Sequence, residues 1–319
     1  MYTVVFFGGR YFMSENLKIA LVIPCYNEEI TIGKVIDDAK KYAPQAAIYV
    51  IDNNSSDQTS AIALEKGVNV IYEYKQGKAY AVRTAFRVIS ADVYVMIDGD
   101  DTYPLDQIDK IIDPILSSQA DMTVGDRHFL GHYSAENTRK FHGFGNNLVK
   151  KTINLLFNAK LNDILSGYRG FSRSFVKNYP LICEGFEIEA DMTIHALHYD
   201  YKVLEVPITF QERPDGSESK LNTYTDGMKI MSLIFELYRD NRPLAFFSIF
   251  SSIIFIISLL SGGVVIDEFL KTQYITHVPL AILSSSSFIL AILLFISGLI
   301  LDTMVKQDKK NHALRLLSE

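Results

Sequence analysis

Short apolar runs alternate with amphipathic segments along the first part of the chain. Strands are predicted where β-branched residues dominate these runs, at residues 18–23, 47–51, 93–97 and 121–124. Helical periodicity follows the first two of them, at residues 31–39 and 59–66. Pro24 is expected to end the first strand, because proline has no backbone N–H to donate. Strand, acid-rich turn and helix recur three times within 115 residues, which predicts an α/β domain with a mostly parallel sheet.

The pattern changes after Arg242. The uncharged apolar stretches 244–266 and 278–301 are each long enough, at about 1.5 Å per residue, to cross a hydrocarbon core about 30 Å thick. Buried core helices are the alternative, but uninterrupted runs of this length favour a hairpin of two transmembrane helices. The turn between them carries one positive residue, whereas four lie in the basic tail 302–319 and three just precede the first span. The positive-inside rule therefore predicts that both outer ends are cytoplasmic.

Two shorter segments, 147–160 and 227–243, are amphipathic. They are either ordinary core helices or helices that lie in the membrane interface, and the pattern leaves both open. Residues 1–17 form an apolar extension without a basic leader, and we assign it no role. The residues between this extension and the second amphipathic segment, 18–226, are predicted to form one large α/β domain.

Composition narrows the function classes. A net charge of −6 over 319 residues gives no support for nucleic-acid binding. Cys25 and Cys183 are far apart and lack metal-ligand spacing, so they are interpreted as reduced thiols. No G-x-G-x-x-G motif follows any predicted strand, which argues against a dinucleotide-binding enzyme.

Candidate chemistry lies where the predicted strands end. Asp98-Gly99-Asp100-Asp101 follows the strand 93–97, and ligands bind at the carboxyl edge of open α/β sheets. Two carboxylates separated by one glycine suit Mg²⁺ or Mn²⁺ that bridges to a diphosphate. Taken alone, this motif favours an exposed acidic turn, and its neighbours reverse that interpretation. The cluster D-N-N-S-S-D at 52–57 could likewise be a helix cap.

Taken in order, the motifs resemble those of the family 2 inverting glycosyltransferases, which have the GT-A fold. The resemblance is carried by P-C-Y-N-E-E at 24–29, D-N-N-S-S-D at 52–57, Q-G-K at 76–78 and D-G-D-D-T-Y-P at 98–104. Three further motifs resemble those of a narrower group, the polyprenyl-phosphate glycosyltransferases: V-G-D-R (124–127), S-G-Y-R-G-F-S-R (166–173) and S-K-L (219–221). This group includes dolichol-phosphate mannose synthases and GtrB-like enzymes. The resemblance covers residues 18–247. D-N-N-S-S-D departs from the commoner D-D-G-S-x-D, and Thr102 stands where some relatives have a metal-contacting glutamine.

This resemblance implies transfer of one sugar from a nucleotide sugar, with UDP favoured, to a polyprenyl phosphate, with undecaprenyl phosphate favoured. It also implies a multi-pass protein of the bacterial inner membrane that serves cell-envelope glycan modification. The nucleotide-sugar pocket would contain Pro24, Tyr26, Glu28, Asp52, Lys78, Asp98 and Lys220. Asp98 and Asp100 would hold the Mg²⁺ or Mn²⁺, and Arg139 and Arg169 would bind the acceptor phosphate. Asp100, Arg127 and Asp163 would be the catalytic residues, with Asp163 orienting the acceptor or acting as a base.

Three other functions are alternatives to this one. A processive polysaccharide synthase would carry a Q-x-x-R-W motif, and the chain contains no tryptophan. A membrane-anchored nucleotide-sugar-binding scaffold without activity stays open, as does a transferase that acts on a non-phosphate lipid. The sequence identifies neither the sugar nor the oligomeric state, and it allows self-association.

Overall fold

The computed structural model describes residues 3–7, 10–14, 17–128, 140–180, 188–211 and 235–317, with side chains described in these ranges except at 3–14 and 140–146. The chain divides into two compact units, residues 1–223 and residues 224–319.

Seven strands of the first unit form one mixed sheet. They are β3 (Ile19–Cys25), β4 (Ala46–Asp52), β5 (Asn69–Tyr72), β6 (Val93–Met96), β7 (Met122–Asp126), β8 (Arg169–Ser172) and β9 (Val203–Pro207). Their order is β5-β4-β3-β6-β8-β7-β9, with β8 antiparallel to both neighbours and every other pair parallel. The mostly parallel sheet is confirmed. Before it, β1 (Thr3–Phe7) and β2 (Arg10–Ser14) form a separate antiparallel hairpin.

Helices connect these strands and bury their apolar faces. They are α1 (Ile32–Tyr42), α2 (Thr59–Glu65), α3 (Lys78–Val88), α4 (Ile108–Leu116), α5 (Lys140–Phe157), α6 (Arg173–Asn178) and α7 (Ile188–His198). In α1 the buried positions are Ile32, Val35, Ile36 and Ala39, a helical stripe of the kind that the sequence predicted. All four residues of β6 are buried, as expected of a central strand.

The topology gathers several loops at one edge of the sheet. The parallel strands β3, β4, β6 and β7 all end there. Because β8 runs in the opposite direction, it begins at the same edge, where Arg169 pairs with both Met96 and Val124. The loops after these four strands and the loop before β8 therefore meet.

The prediction that Pro24 ends the first strand is wrong. β3 continues to Cys25, and Pro24 pairs in register with Ile51. The pairing of β3 with β6 has already stopped at Val22. Because successive residues of a strand direct their N–H groups to opposite sides, the position of Pro24 faces the side where that ladder has ended. The missing N–H therefore costs no ladder hydrogen bond.

The amphipathic segment 147–160 belongs to α5, which ends at Phe157. Val149, Ile153 and Leu156 are buried, whereas Leu155 is 81% exposed. The apolar face of this helix is therefore part of the core, which favours the core-helix interpretation for that face.

The second unit contains two long helices, α8 (Pro243–Thr272) and α9 (Val278–Leu316). Both are long and apolar enough to cross a membrane, with a mean hydropathy of 2.5 in their most apolar windows. They are joined by serine hydroxyls, because Ser251 Oγ donates to Ala291 O at 2.8 Å and Ser258 Oγ to Ser284 O at 2.9 Å. The predicted basic tail is not separate from the second span, since α9 continues through it without a break.

The predicted amphipathic segment 227–243 is described in part. Residues 227–234 lie outside the described residues, and residues 235–241 are helical. Within the same unit, the ring of Phe235 packs edge-to-face on that of Phe246, with 4.8 Å between the centroids.

Candidate active site

The loops after β3 and β4 are fastened to each other by hydrogen bonds. Asn27, whose φ is 53°, accepts from Ser56 N at 2.8 Å, and its own N–H donates to Ser55 Oγ at 3.0 Å. The Glu28 N–H donates to Thr59 Oγ1 at 2.8 Å. Two predicted pocket segments, 24–29 and 52–57, are thus brought together as one preformed surface.

The departure from the D-D-G-S-x-D pattern has a structural reason. Asn53 Nδ2 donates to Glu73 O at 3.1 Å and to Lys75 O at 2.8 Å, while Asn53 Oδ1 accepts from Gly77 N at 2.6 Å. An ionised aspartate has no N–H for the two carbonyls. Asn54 has a φ of 62°, a conformation that favours glycine and that asparagine tolerates. Asparagine therefore fits both positions.

Lys78 is the first residue of α3 and lies between two carboxylates. Its Nζ is 2.5 Å from Asp98 Oδ1 and 2.6 Å from Glu189 Oε1. Burial disfavours the charge, but Asp98 and Glu189 outweigh it and raise the pKa of Lys78 above its usual value. Glu189 was missed by the sequence reasoning, because it belongs to none of the motifs and reaches the site from the first turn of α7.

Asp100 is buried, at 4% exposure, and Asp98 is partly accessible. Asp100 Oδ1 accepts from Thr102 Oγ1 at 2.7 Å. Asp98 lies so close to the backbone at Gly167 that a Cβ there would be 2.5 Å from Asp98 Oδ2. Thr102 therefore orients one carboxylate by a hydrogen bond, and the absence of a side chain at Gly167 makes room for the other.

The thiol of Cys25 is buried and feels the charge of four carboxylates. Burial raises its pKa well above the usual value, and the negative charges raise it further; they belong to Glu28, Asp52, Asp98 and Asp100. A protonated, buried thiol is a poor nucleophile. Cys25 pairs in register with Asp52, and a Cβ on Gly99 would lie 2.6 Å from Cys25 Sγ, so the ends of β3, β4 and β6 lie close together.

The donor set fits a divalent cation that is also held by its substrate. Mg²⁺ is usually bound by one or two carboxylates together with phosphate oxygens, and Asp98 and Asp100 supply two such groups at the end of β6. Among the described residues, no group of three or more His, Cys, Asp or Glu side chains could hold a metal ion. The arrangement is therefore suited to a shared site and not to an all-protein cage.

Arg127 and Asp163 form a paired clamp at the end of β7. Arg127 Nε is 2.6 Å from Asp163 Oδ2, and Arg127 Nη2 is 2.9 Å from Asp163 Oδ1. Burial would raise the pKa of Asp163, but hydrogen bonding and charge from Arg127 lower it below the usual value. The Arg127 guanidinium also lies 5.5 Å from the ring centre of Phe210. The pair is thus geometrically fixed.

Arg169 does not line the site, and the prediction that it binds the acceptor phosphate is wrong. Its side chain is fully buried, with Nε donating to Ser166 O at 2.7 Å and Nη1 to Thr193 Oγ1 at 2.9 Å. Nη2 donates to Ile164 O at 2.5 Å. The guanidinium therefore binds groups of the loop before β8 and of α7, and it holds these two elements together.

Two predicted residues lie outside the described part of the chain: Arg139 and Lys220. Pro24 lies on β3, and Tyr26 is partly buried just beyond it. Asp52 is buried at the end of β4, where its Oδ1 accepts from Ser55 N at 3.1 Å.

Comparison with known proteins gives a consistent result. A sequence profile of the family described as Glycosyl transferase family 2 matches residues 20–179. Glycosyltransferase AglJ of Haloferax volcanii is 31% identical over 92% of this chain and 95% of its own length. Dolichyl-phosphate hexose transferase of the same organism is 30% identical over 70% of this chain and 95% of its own length.

Solved structures share the architecture. Glucosyl-3-phosphoglycerate synthase from Mycobacterium tuberculosis, in complex with Mn²⁺, UDP-glucose and phosphoglyceric acid, aligns with a TM-score of 0.56 at 21% identity. The alignment covers 70% of this chain and 79% of that one. The likeness shows the GT-A fold that the sequence motifs predicted.

Proposed function

Since the chain belongs to glycosyl transferase family 2, we propose that it transfers one sugar from a nucleotide sugar, UDP-linked, to the phosphate of a membrane-borne polyprenyl phosphate. The reaction inverts the anomeric carbon. The relative named for dolichyl-phosphate hexose transfer supports this class of acceptor. The observation that carries the proposal is that Asp98 and Arg127, taken as the donor-side and acceptor-side groups, both lie near Tyr103.

Tyr103 lies between the two halves of the site. Its hydroxyl oxygen accepts from Gly167 N at 2.9 Å. Burial raises the pKa of Tyr103 to about 12, Arg127 opposes this rise, and Asp98 and Asp163 add to it. The Lys78–Asp98 pair and the Arg127–Asp163 pair therefore flank this residue. Asp98 approaches the backbone of Gly167, and Arg127 lies over the ring of Phe210, on which the Tyr103 ring packs with 5.4 Å between the centroids. A nucleotide diphosphate on the first pair would lie close to an acceptor phosphate on the second.

The acceptor needs little help from a general base. A phosphomonoester has a second pKa of about 6, so its oxygen is already anionic at neutral pH. Asp163 is poorly suited to be a base, because Arg127 lowers its pKa and binds both of its oxygens. We assign Arg127 to the acceptor phosphate, for which a planar guanidinium is well matched, and Asp163 to the orientation of Arg127.

The donor side supplies charge and shape. Asp98 and Asp100 would hold Mg²⁺ or Mn²⁺, which when bound would offset charge on the departing diphosphate. Lys78 places a positive charge beside Asp98, and Pro24, Tyr26, Glu28 and Asp52 shape the nucleotide pocket. The role of Lys220 in closing over the donor, and that of Arg139 at the acceptor phosphate, stay predictions.

The helices α8 and α9 would anchor the enzyme in the membrane that carries its acceptor. Their apolar side chains are mostly exposed, which suits contact with lipid. Anchoring raises the effective concentration of a lipid-borne partner without any new contact. The predicted orientation would leave the first unit and the end of α9 in the cytoplasm.

The function is tested with the full-length protein in membranes. A panel of radiolabelled nucleotide sugars is combined with undecaprenyl phosphate, dolichyl phosphate or the unphosphorylated polyprenol. We expect one nucleotide sugar to label both lipid phosphates and not the alcohol, with a preference between the phosphates that identifies the carrier. Equal labelling of the alcohol would favour a non-phosphate acceptor. Nucleotide binding without transfer to any lipid would favour the scaffold.

Gly167→Ala tests the donor side. The added Cβ would lie 2.5 Å from Asp98 Oδ2 and would displace that carboxylate from Lys78. We expect affinity for UDP with Mn²⁺, measured by calorimetry, to fall about tenfold, the loss of about 1.5 kcal/mol that accompanies one charged hydrogen bond. Gly33→Ala on α1 is the control, because its Cβ meets Lys66 Cε at 3.2 Å and lies away from the pocket. Unchanged affinity in Gly167→Ala would contradict the role of Asp98.

A further inference from the structure

Glu205 belongs to none of the motifs, yet its carboxylate receives three backbone hydrogen bonds. It lies on the edge strand β9, in register with Val124 of β7. Asn162 N donates to Glu205 Oε1 at 2.7 Å and to Oε2 at 2.8 Å. Asp163 N donates to Glu205 Oε1 at 2.7 Å. Two successive peptide groups of the loop before β8 are therefore fixed to this side chain.

Burial of the Glu205 carboxylate disfavours its charged form. Burial raises the pKa of Glu205, the hydrogen bonds from Asp163 and Asn162 oppose that rise, and the negative charges of Asp126 and Asp163 add to it. An apolar side chain at an edge strand would avoid this cost. In this position the charge strengthens the hydrogen bonds from the N–H groups of Asn162 and Asp163, which fix the backbone at 162–163.

From Asp163 the chain of contacts leads directly to Arg127. The Asp163 amide is fixed by Glu205, and the Asp163 carboxylate is fixed to the Arg127 guanidinium through two hydrogen bonds. The Arg127 N–H also donates to Asp163 Oδ2, at 3.1 Å. A shift of the peptide at 162–163 would therefore move the carboxylate and the guanidinium together.

We propose that Glu205 is a positioning residue that sets the Arg127 guanidinium for the acceptor phosphate through the backbone of Asp163. This role rests on the proposed function, because it takes Arg127 as the phosphate-binding group. Reactions between bound groups are sensitive to displacements of about 1 Å, so a residue that never touches the substrate can still determine acceptor use.

The test is steady-state kinetics of the full-length enzyme with Glu205→Ala and Glu205→Gln. We expect the KM for polyprenyl phosphate to rise about tenfold in Glu205→Ala, as for the loss of a charged hydrogen bond. The rise should be smaller in Glu205→Gln, because the amide oxygen still accepts from the backbone. The KM for the nucleotide sugar should stay within about twofold of wild type, since the donor pocket is not involved.

Asp121→Asn is a matched control. Asp121 Oδ2 accepts from Lys202 N at 2.9 Å, so it is another carboxylate that binds a backbone N–H, just before the start of β9. The substitution removes the same charge near the same strand without touching the 162–163 backbone. Both KM values should match wild type. An equal rise in the acceptor KM of Asp121→Asn would show a general effect of weakening β9 and would overturn the role of Glu205.

A double-mutant cycle with Arg127→Lys separates positioning from general destabilisation. If Glu205 acts through Arg127, then Glu205→Ala should change the acceptor KM by less than about twofold in the Arg127→Lys background. Fully additive effects in an active enzyme would overturn the role of Glu205 and leave the proposed function intact. Wild-type enzyme that labels no lipid phosphate would overturn the proposed function, and this role with it.

Discussion

Asp100→Asn should lower the rate of sugar transfer about a thousandfold while leaving the fold intact. The change removes the negative charge that would help to hold the divalent cation, whose charge stabilisation is worth several kcal/mol, and each factor of ten in rate corresponds to about 1.4 kcal/mol. The amide still has an oxygen that can accept from Thr102, so the local backbone should keep its shape. Initial rates with polyprenyl phosphate, together with the thermal unfolding midpoint, measure both effects.

Asp101→Asn is the control for this substitution. Asp101 is the next residue, but its carboxylate binds the exposed Lys34, with 2.6 Å to Nζ, and its φ of 59° is one that asparagine readily adopts. Its activity should therefore be close to that of wild type. EDTA should abolish transfer by the wild type, and added Mg²⁺ or Mn²⁺ should restore it. Full turnover in EDTA would refute the metal assignment.

Arg169→Ala should destabilise the first unit by about 3–5 kcal/mol, because each buried acceptor left without a donor costs about 1–3 kcal/mol and the lost side chain leaves a cavity. The substitution leaves Ser166 O and Ile164 O without their donor and opens a cavity beneath the loop before β8. The free energy of unfolding, from denaturant titration followed by tyrosine fluorescence, measures the loss. We expect affinity for nucleotide and for lipid phosphate to fall together, as a consequence of unfolding.

Arg173→Ala separates this effect from the loss of any arginine. Arg173 lies just after β8, where its Nη1 is 3.7 Å from Asp92 Oδ1 and its side chain is 58% exposed. Exposed ion pairs contribute about 0–1 kcal/mol, so little change in stability is expected. An Arg169→Ala protein that folded normally and lost only lipid-phosphate binding would instead place Arg169 at the acceptor phosphate.

The sequence pattern predicted the mostly parallel sheet and the acidic turn that follows one of its central strands. The strand at 93–97 and its acidic turn were recognisable because a buried central strand is apolar throughout and the acids follow it at once. The parallel arrangement then indicates which edge of the sheet carries these acids, since the loops after parallel strands meet at one edge. In contrast, Pro24 was misleading because its position in the strand depends on where a neighbouring ladder ends, which one chain segment does not reveal.

Arg169 shows a different limit. Its motif, S-G-Y-R-G-F-S-R, pointed to a functional segment, and an arginine in such a segment is usually assumed to face a phosphate. In the structure this arginine is the first residue of β8, which is flanked by strands on both sides, and its side chain is enclosed. Whether a side chain in a strand faces a cleft or the core depends on the layers packed on each face.

Glu189 and Glu205 could not have been found from local pattern. Each reaches the site from an element distant in sequence, 111 residues from Lys78 in one case and 42 residues from Asp163 in the other. Glutamates at a helix start or on an edge strand are common surface residues. Their importance follows from the contacts that the fold creates, with Lys78 and with the backbone of Asp163.

The hydrogen bonds between the loops after β3 and β4 have a consequence for product release. Asn27 is already bonded to Ser55 and Ser56, and Glu28 to Thr59, so little conformational entropy is lost when a nucleotide enters. A rigid pocket of this kind binds the nucleotide portion of the donor and the spent nucleoside diphosphate about equally well. Such uniform binding lowers KM without accelerating the chemical step. The enzyme should therefore be inhibited competitively by its own leaving group, and sustained turnover depends on removal of that diphosphate from the surrounding solution.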